Sequence, residues 1–247
     1  MEVIYNFLEI ILPFDFMEYT FMKNAFLAIL LVSPVFAIIG TMIVNKKMAF
    51  FSDALGHSAL TGIAIGMLLG MTNINISMII FAIVFALLLN FIKNKTTYGA
   101  DTIISVFSSI AIALGLAILA QSGSFNKYSN YLVGDILSIS ETEIIYLFVA
   151  FILTFIFWYY LFNKLNAVSL NTTLAKSKGI NIKLIENIFA VLIAIMVMIS
   201  IRWVGILLIN SLIILPAASS RNVAMSMRSY HLIAILIALF SGILGLI

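Results

Sequence analysis

Two residues one helical turn apart, Asp53 and His57, offer the clearest chemistry in this sequence. They lie in Phe50-Phe51-Ser52-Asp53-Ala54-Leu55-Gly56-His57-Ser58-Ala59-Leu60-Thr61-Gly62-Ile63-Ala64-Ile65-Gly66, a stretch otherwise apolar enough to enter a bilayer. At i and i+4 a carboxylate and an imidazole share one helix face, where they can share a proton or hold a metal ion. Inside a membrane neither group is comfortable unpaired, so the pair asks for an explanation. The plain alternative is structural: Ser52 or Asp53 caps the helix N-terminus, and His57 is an interior histidine bonded to Asp53. If the pair binds metal, carboxylate oxygen with neutral imidazole suits zinc, manganese or ferrous iron, and matches calcium or copper(I) poorly. One helix supplies two such ligands, and two copies of the chain on a symmetry axis would supply four.

Small residues recur beside this pair at every fourth position: Ala54, Ser58, Gly62, Gly66 and Gly70. Such a stripe lets another backbone approach closely. Asp53, His57 and Thr61 lie about 100° around the helix from it. The expected packing or dimer face is therefore Ser58, Gly62, Gly66 and Gly70, with the polar face along its border.

The elements that must position these groups follow from composition. Hydrophobic residues make up 64% of the 247 and charged residues 9%, with a mean hydropathy of +1.21. No soluble domain of this length hides so much apolar surface, so the chain is expected to be a polytopic membrane protein. The expected fold is an all-α bundle of about eight transmembrane helices, each of roughly 20 residues. The spans fall at 24–44, 54–71, 74–92, 101–121, 143–163, 184–201, 203–220 and 230–247. Lys46, Lys47, Lys93, Lys95, Lys164, Lys176, Lys178, Lys183, Arg221 and Arg228 all fall in alternate connections. Only Lys23, Lys127 and Arg202 remain for the other side, which carries Glu2, Glu9, Asp15, Glu18, Asp135, Glu141 and Glu143. The positive-inside rule then places the N-terminus outside. Residues 1–20, charged and broken by Pro13, are expected to lie in the outer interface, with one membrane domain over 21–247. Nothing in 1–20 has the basic start and small-residue cleavage site of a signal peptide. The absence of cysteine excludes disulfides and thiolate ligands.

Between the fifth and sixth spans, Asn171 has the character of an N-cap and Gly179 of a C-terminal stop. Lys176 and Lys178 fall in the last turn, where cations are favoured. About two turns of helix outside the bilayer are expected here, with Leu170, Leu174 and Ile180 as an apolar side; a mere surface connector fits the same residues. No phosphate-binding loop of the form G-x-x-x-x-G-K-[ST] occurs, so any ATPase must be another chain. Weaker marks are Asn210 and Ser211 within a span that holds Pro216, Asp101 at a span start, Gly134-Asp135 in an outer loop, and His231, expected at the interface.

Lys46-Lys47-Met48-Ala49-Phe50-Phe51-Ser52-Asp53-Ala54-Leu55-Gly56-His57-Ser58-Ala59-Leu60-Thr61-Gly62 resembles the signature of the permease subunits of the zinc/manganese/iron ABC importers, the ABC-3 family. In that family two basic residues precede a D-x-x-x-H-[AS] segment that leads into a Gly-rich span. Tyr131 to Leu137 resembles its loop motif, and Val204 to Ala218 its V-G-x-L-L span ending in P-A-A. Leu174 to Ile180 looks like its coupling helix. The resemblance covers nearly the whole chain from about Phe21. It implies a homodimeric permease in the bacterial plasma membrane, an ABC ATP-binding subunit, and an extracytoplasmic metal-binding protein that delivers the ion. It implies Asp53 and His57 along the metal path at the dimer interface. For coupling to the ATPase it implies Asn171, Leu174, Ala175, Lys176, Lys178 and Gly179. The family's coupling segment usually opens with acidic residues, where this one has Asn171-Thr172-Thr173. The family also usually continues with a further span past the point where this sequence stops, at Ile247.

The expected function is thus a transport subunit, not an enzyme, for a divalent transition metal ion, with no resident cofactor and no nucleic-acid partner. A permease for metal chelates or siderophores would want a wider path without a tight Asp-His constriction. A proton-coupled secondary transporter would use Asp53 and His57 as a relay and need no ATPase. An intramembrane hydrolase lacks a second metal motif such as H-E-x-x-H.

Overall fold

The computed structural model describes residues 5, 15–96 and 98–246, and among these there are helices and turns but no strands. Apolar runs in a bilayer must satisfy their own backbone groups, which makes helices the only solution for separate spans. The long helices are α1 (Thr20–Asn45), α2 (Phe50–Leu68), α3 (Ile74–Lys93), α4 (Ala100–Gln121) and α5 (Glu141–Leu170). After the short α6 (Thr172–Ser177) come α7 (Ile182–Val204), α8 (Ile206–Arg221) and α9 (Met227–Leu246). The expected interfacial segment 1–20 lies outside the described residues, apart from Tyr5 and a 3₁₀ turn at Asp15–Glu18 that leads into α1.

Each of the eight expected spans is a helix, and six are long and apolar enough to cross a membrane by length and composition. The other two are α2, diluted by Ser52, Asp53, His57, Ser58 and Thr61, and α8, which has 16 residues. Position accounts for the polar residues of α2. α2 packs against α3, α4, α7 and α8 and faces protein along most of its length, whereas α8 packs one face against α1, α2 and α9 and leaves Leu207, Leu208 and Leu215 exposed. The lipid-facing α5 and α9 are the reverse of α2, with only 22% of their apolar windows buried.

The ends of the helices are set by capping chemistry. α1 stops where Lys47 turns left-handed (φ 53), which lets Met48 N–H reach the Ile43 carbonyl at 3.1 Å and Lys47 N–H reach Val44 at 3.1 Å. This is a tight four-residue turn, and α2 begins directly after it. α2 ends the same way at Gly70 (φ +64), with Met71 N–H bonded to the Gly66 carbonyl at 2.9 Å. Gly70 is therefore a stop signal rather than part of the packing stripe; a Cβ there would meet nothing within 4 Å. Ser140 and Glu143 form a reciprocal capping box that opens α5.

Side-chain contacts sort the helix ends as the charge alternation does. At one end Lys46, Lys93 and Glu186 meet, joining α1, α3 and α7. At the other, Arg202 pairs with Glu143, and Asn24 donates to the Ile139 carbonyl while accepting from Tyr5. The first end is cytoplasmic and the second is outer.

Candidate functional site

Helix α2 is buried from Phe51 to Ala64 with two exceptions, Asp53 and His57. These two are half-buried, with side chains 37% and 26% exposed, and Asp53 Oδ1 stands 3.6 Å from His57 Nε2. That separation is too long for a hydrogen bond, so neither group consumes the other's lone pair. A metal about 2.1 Å from each atom would see them at an angle near 118°, close to tetrahedral. The carboxylate also sits in the first turn of α2, where the helix dipole favours it. The capping reading fails in its detail: the residue before the helix is Ala49, with no side-chain cap bond, and the Ser52 hydroxyl donates to Asn210 Oδ1 on α8 at 2.6 Å. That bond fixes the rotation of α2 one residue before Asp53.

The small-residue stripe finds its partner inside the chain. A Cβ on Gly62 would lie 2.9 Å from Met78 Cα, and one on Gly66 2.6 Å from Ser77 Cβ, both on α3. Ser77 Oγ donates to the Gly62 carbonyl at 2.7 Å. Ser58 is fully buried and donates to its own helix at Leu55 O, 2.7 Å. On a neighbouring face Thr61 Oγ1 bonds the Ala111 carbonyl of α4, and Gly115 of α4 lets Thr61 N come within 2.7 Å of where its Cβ would be. The close approach that Gly62 and Gly66 allow is thus filled by α3 of the same protomer. What α2 leaves open is the Asp53–His57 face near its start. Among the described residues no group of three or more His, Asp and Glu side chains could hold a metal, so Asp53 and His57 stand as a pair.

The segment between α5 and α7 has the expected ends. Asn171 Oδ1 accepts from Leu174 N–H at 3.0 Å. Gly179, at φ +74, closes α6: Ile180 N–H bonds the Ala175 carbonyl at 3.1 Å and Gly179 N–H bonds Lys176 at 3.0 Å. Ala175 is fully buried and Ile180 half-buried, which seats the segment on the bundle, while Leu170, Leu174, Lys176 and Lys178 are exposed. Of the apolar side expected for it, Leu170 and Leu174 face outward and Ile180 packs inward.

Two sequence motifs that looked separate meet at the outer end. Gly134, in the outer loop, and Gly205, between α7 and α8, press backbone to backbone at positive φ (77 and 83). A Cβ on Gly134 would collide with Gly205 N and Val204 C, and one on Gly205 with the Val133 carbonyl. Beside them opens a cavity of about 490 Å³, lined largely by apolar residues such as Ile29, Phe36, Trp203, Val204 and Leu208, with Asp135 at its edge. Burial raises the Tyr131 phenol in the same loop, against the pull of nearby Arg202.

His231, expected at the interface, is instead buried among Trp158, Phe162 and Tyr230, with Nδ1 2.6 Å from Met227 O and Nε2 3.3 Å from Thr41 Oγ1. Nδ1 donates to the Met227 carbonyl, and the aromatic cage makes His231 a packing residue of the bundle. Sequence reasoning passed over Glu186. The signal was there: apart from Asp53 and Asp101 it is the one acid not on the outer side, and it stands among many lysines.

The chain is similar to membrane proteins of metal uptake systems. The chain is 32% identical over 224 residues to the high-affinity zinc uptake system membrane protein ZnuB of Haemophilus influenzae, covering 90% of this chain and 85% of that protein. It is 27% identical over 229 residues to the manganese import system permease protein ScaB of Streptococcus parasanguinis, covering 93% and 81%. PsaBC from Streptococcus pneumoniae, solved in complex with Fab, has the same fold, with a TM-score of 0.80 at 24% identity over 100% of this chain and 86% of that one. The model of the ABC 3 transport family matches residues 18–247, and the chain belongs to that family.

Proposed function

We propose that this chain is the membrane-spanning subunit of an ATP-driven importer of a divalent transition metal ion, zinc, manganese or ferrous iron, in a bacterial plasma membrane. The observation that carries the metal site is the surface of α2: from Phe51 to Ala64 only a carboxylate and an imidazole come to the surface, 3.6 Å apart and unbonded to each other. Relatives named for zinc uptake and for manganese import support the substrate class. Asp and His ligands serve all of these metals, and selectivity lies in geometry and availability as much as in ligand type.

In this reading a second copy of the chain brings its own Asp53 and His57 to complete a four-ligand stop for the ion. An extracytoplasmic binding protein hands the ion over at the outer end. An ABC ATP-binding subunit docks on residues 170–180 through Leu170, Leu174 and the exposed lysines, with Asn171, Ala175 and Gly179 holding the shape of the segment. The protein does no bond-making chemistry: its residues strip, hold and release the cargo as the bundle alternates.

Metal accumulation in cells carrying the chain with its partners tests this, measured by mass spectrometry for zinc, manganese and iron, wild type against His57→Ala. One metal rising in wild type and not in the variant supports both the substrate and the site. Equal accumulation in the variant removes Asp53 and His57 from the path.

A further inference from the structure

The cytoplasmic end holds a charge cluster that the metal site does not use. Lys46 Nζ donates to Glu186 Oε1 at 2.9 Å, with the two side chains only 6% and 11% exposed. Lys93 stands 4.0 Å from the same oxygen, and Asn94 Nδ2 donates to Oε2 at 3.5 Å. One residue on, Asn187 Oδ1 accepts from Asn90 Nδ2 at 2.5 Å. Buried ion pairs contribute little net stability, because desolvation offsets the attraction; their best-attested use is to specify one arrangement over another.

The places these residues hold along the chain say which arrangement. Glu186 lies in the opening turns of α7, a few residues after Gly179 and Ile180 close α6. Lys46 ends α1, and the left-handed Lys47 turn leads from it directly into α2. Lys93 also donates to Met48 Sδ in that turn, at 3.3 Å. Phe51, fully buried, lines the same spot as Lys46 and Glu186. Phe51 and Asp53 are about 200° apart on α2, so the cluster grips one side of the helix whose other side carries the metal ligands.

We infer that Glu186 is a positioning residue that carries movement of the segment 170–180, through Lys46 and the Lys47 turn, to the helix bearing Asp53 and His57. This rests on the importer reading above. A shift of α6 displaces the start of α7. Because the Lys46–Glu186 pair is buried, opening it would leave charges unpaired, so the turn before α2 follows. Lys93 and Asn94 keep α3, the packing partner of Gly62 and Gly66, in step.

The chain has no cysteine, so a label pair needs no background removal. In the full complex with the ATP-binding subunit in lipid nanodiscs, spin labels on Lys47→Cys in the turn and Lys127→Cys at the outer end, both exposed sites, report movement of the turn against the outer end with and without ATP plus vanadate. Nucleotide should shift the distance distribution in the parent protein. Glu186→Gln should abolish the shift and lower ATP-dependent metal uptake by about tenfold or more while ATP hydrolysis continues, the size expected of a lost coupling energy. The apolar pair Lys46→Met with Glu186→Leu guards against a folding defect, since such replacements are often neutral to stability. It should assemble and still fail to couple. A normal shift and normal uptake in either assembled variant overturns the inference. An unlabelled parent complex that takes up no metal overturns the importer reading instead, and the distance shift still judges the role of Glu186.

Discussion

At the outer end of the bundle Gly134 and Gly205 meet backbone to backbone, each at a positive φ that other residues adopt only at a cost. At the cytoplasmic end Lys46, Lys93 and Glu186 meet through flexible side chains. The first joint is made of shape and leaves no room for an added atom. The second is made of buried charge on long side chains, which can tilt together while the pair stays closed. A bundle with one rigid joint and one pliable joint moves more readily at the pliable one, and that is the end where the segment 170–180 lies. Between the two joints runs α8, whose first residue Ile206 lies against Gly56 of α2, and the open face of α2 carries Asp53 and His57.

The difference can be broken from the outer side with the largest effect. Gly205→Ala adds a Cβ into the Val133 carbonyl at φ +83, so strain and collision combine, and a loss of about 3 kcal/mol or more is expected. Thermal unfolding of the purified protein in detergent reads this as a large drop or as failure to accumulate. Gly179→Ala sharpens the contrast. It too has positive φ, +74, but a Cβ there meets nothing within 4 Å. Only the conformational cost of about 1–2 kcal/mol remains, confined to the end of α6, and uptake should fall more than melting temperature does. The smallest effect is expected from Arg202→Ala. That guanidinium reaches Glu143 at 2.6 Å but is 50% exposed, and such surface pairs are worth about 0.2–1 kcal/mol. A melting shift as large as that of Gly205→Ala would mean that the outer joint is electrostatic after all.

The spans were legible because about 20 consecutive apolar residues have few other fates, and the alternation of lysines oriented them. Capping was legible too: Asn171 and Gly179 stand where their chemistry requires. The same chemistry corrected Gly70, which the fourfold spacing had drawn into a stripe although it ends the helix. Gly62 and Gly66 announced a close approach, but a small side chain does not name its partner, and the partner is α3 of the same chain. The Lys46–Glu186 pair spans 140 residues of sequence; Lys46 read as a loop charge, and Glu186 was passed over. Gly134 and Gly205 likewise lay in two motifs whose contact only the fold reveals.

The most direct test of the account is X-ray absorption at the zinc edge of the purified full chain loaded with zinc alone, compared with His57→Ala. The account predicts nitrogen and oxygen ligands at about 2.0–2.2 Å with imidazole scattering in the parent protein, and loss of that imidazole signal in the variant. An unchanged spectrum in His57→Ala would place the metal elsewhere and contradict it.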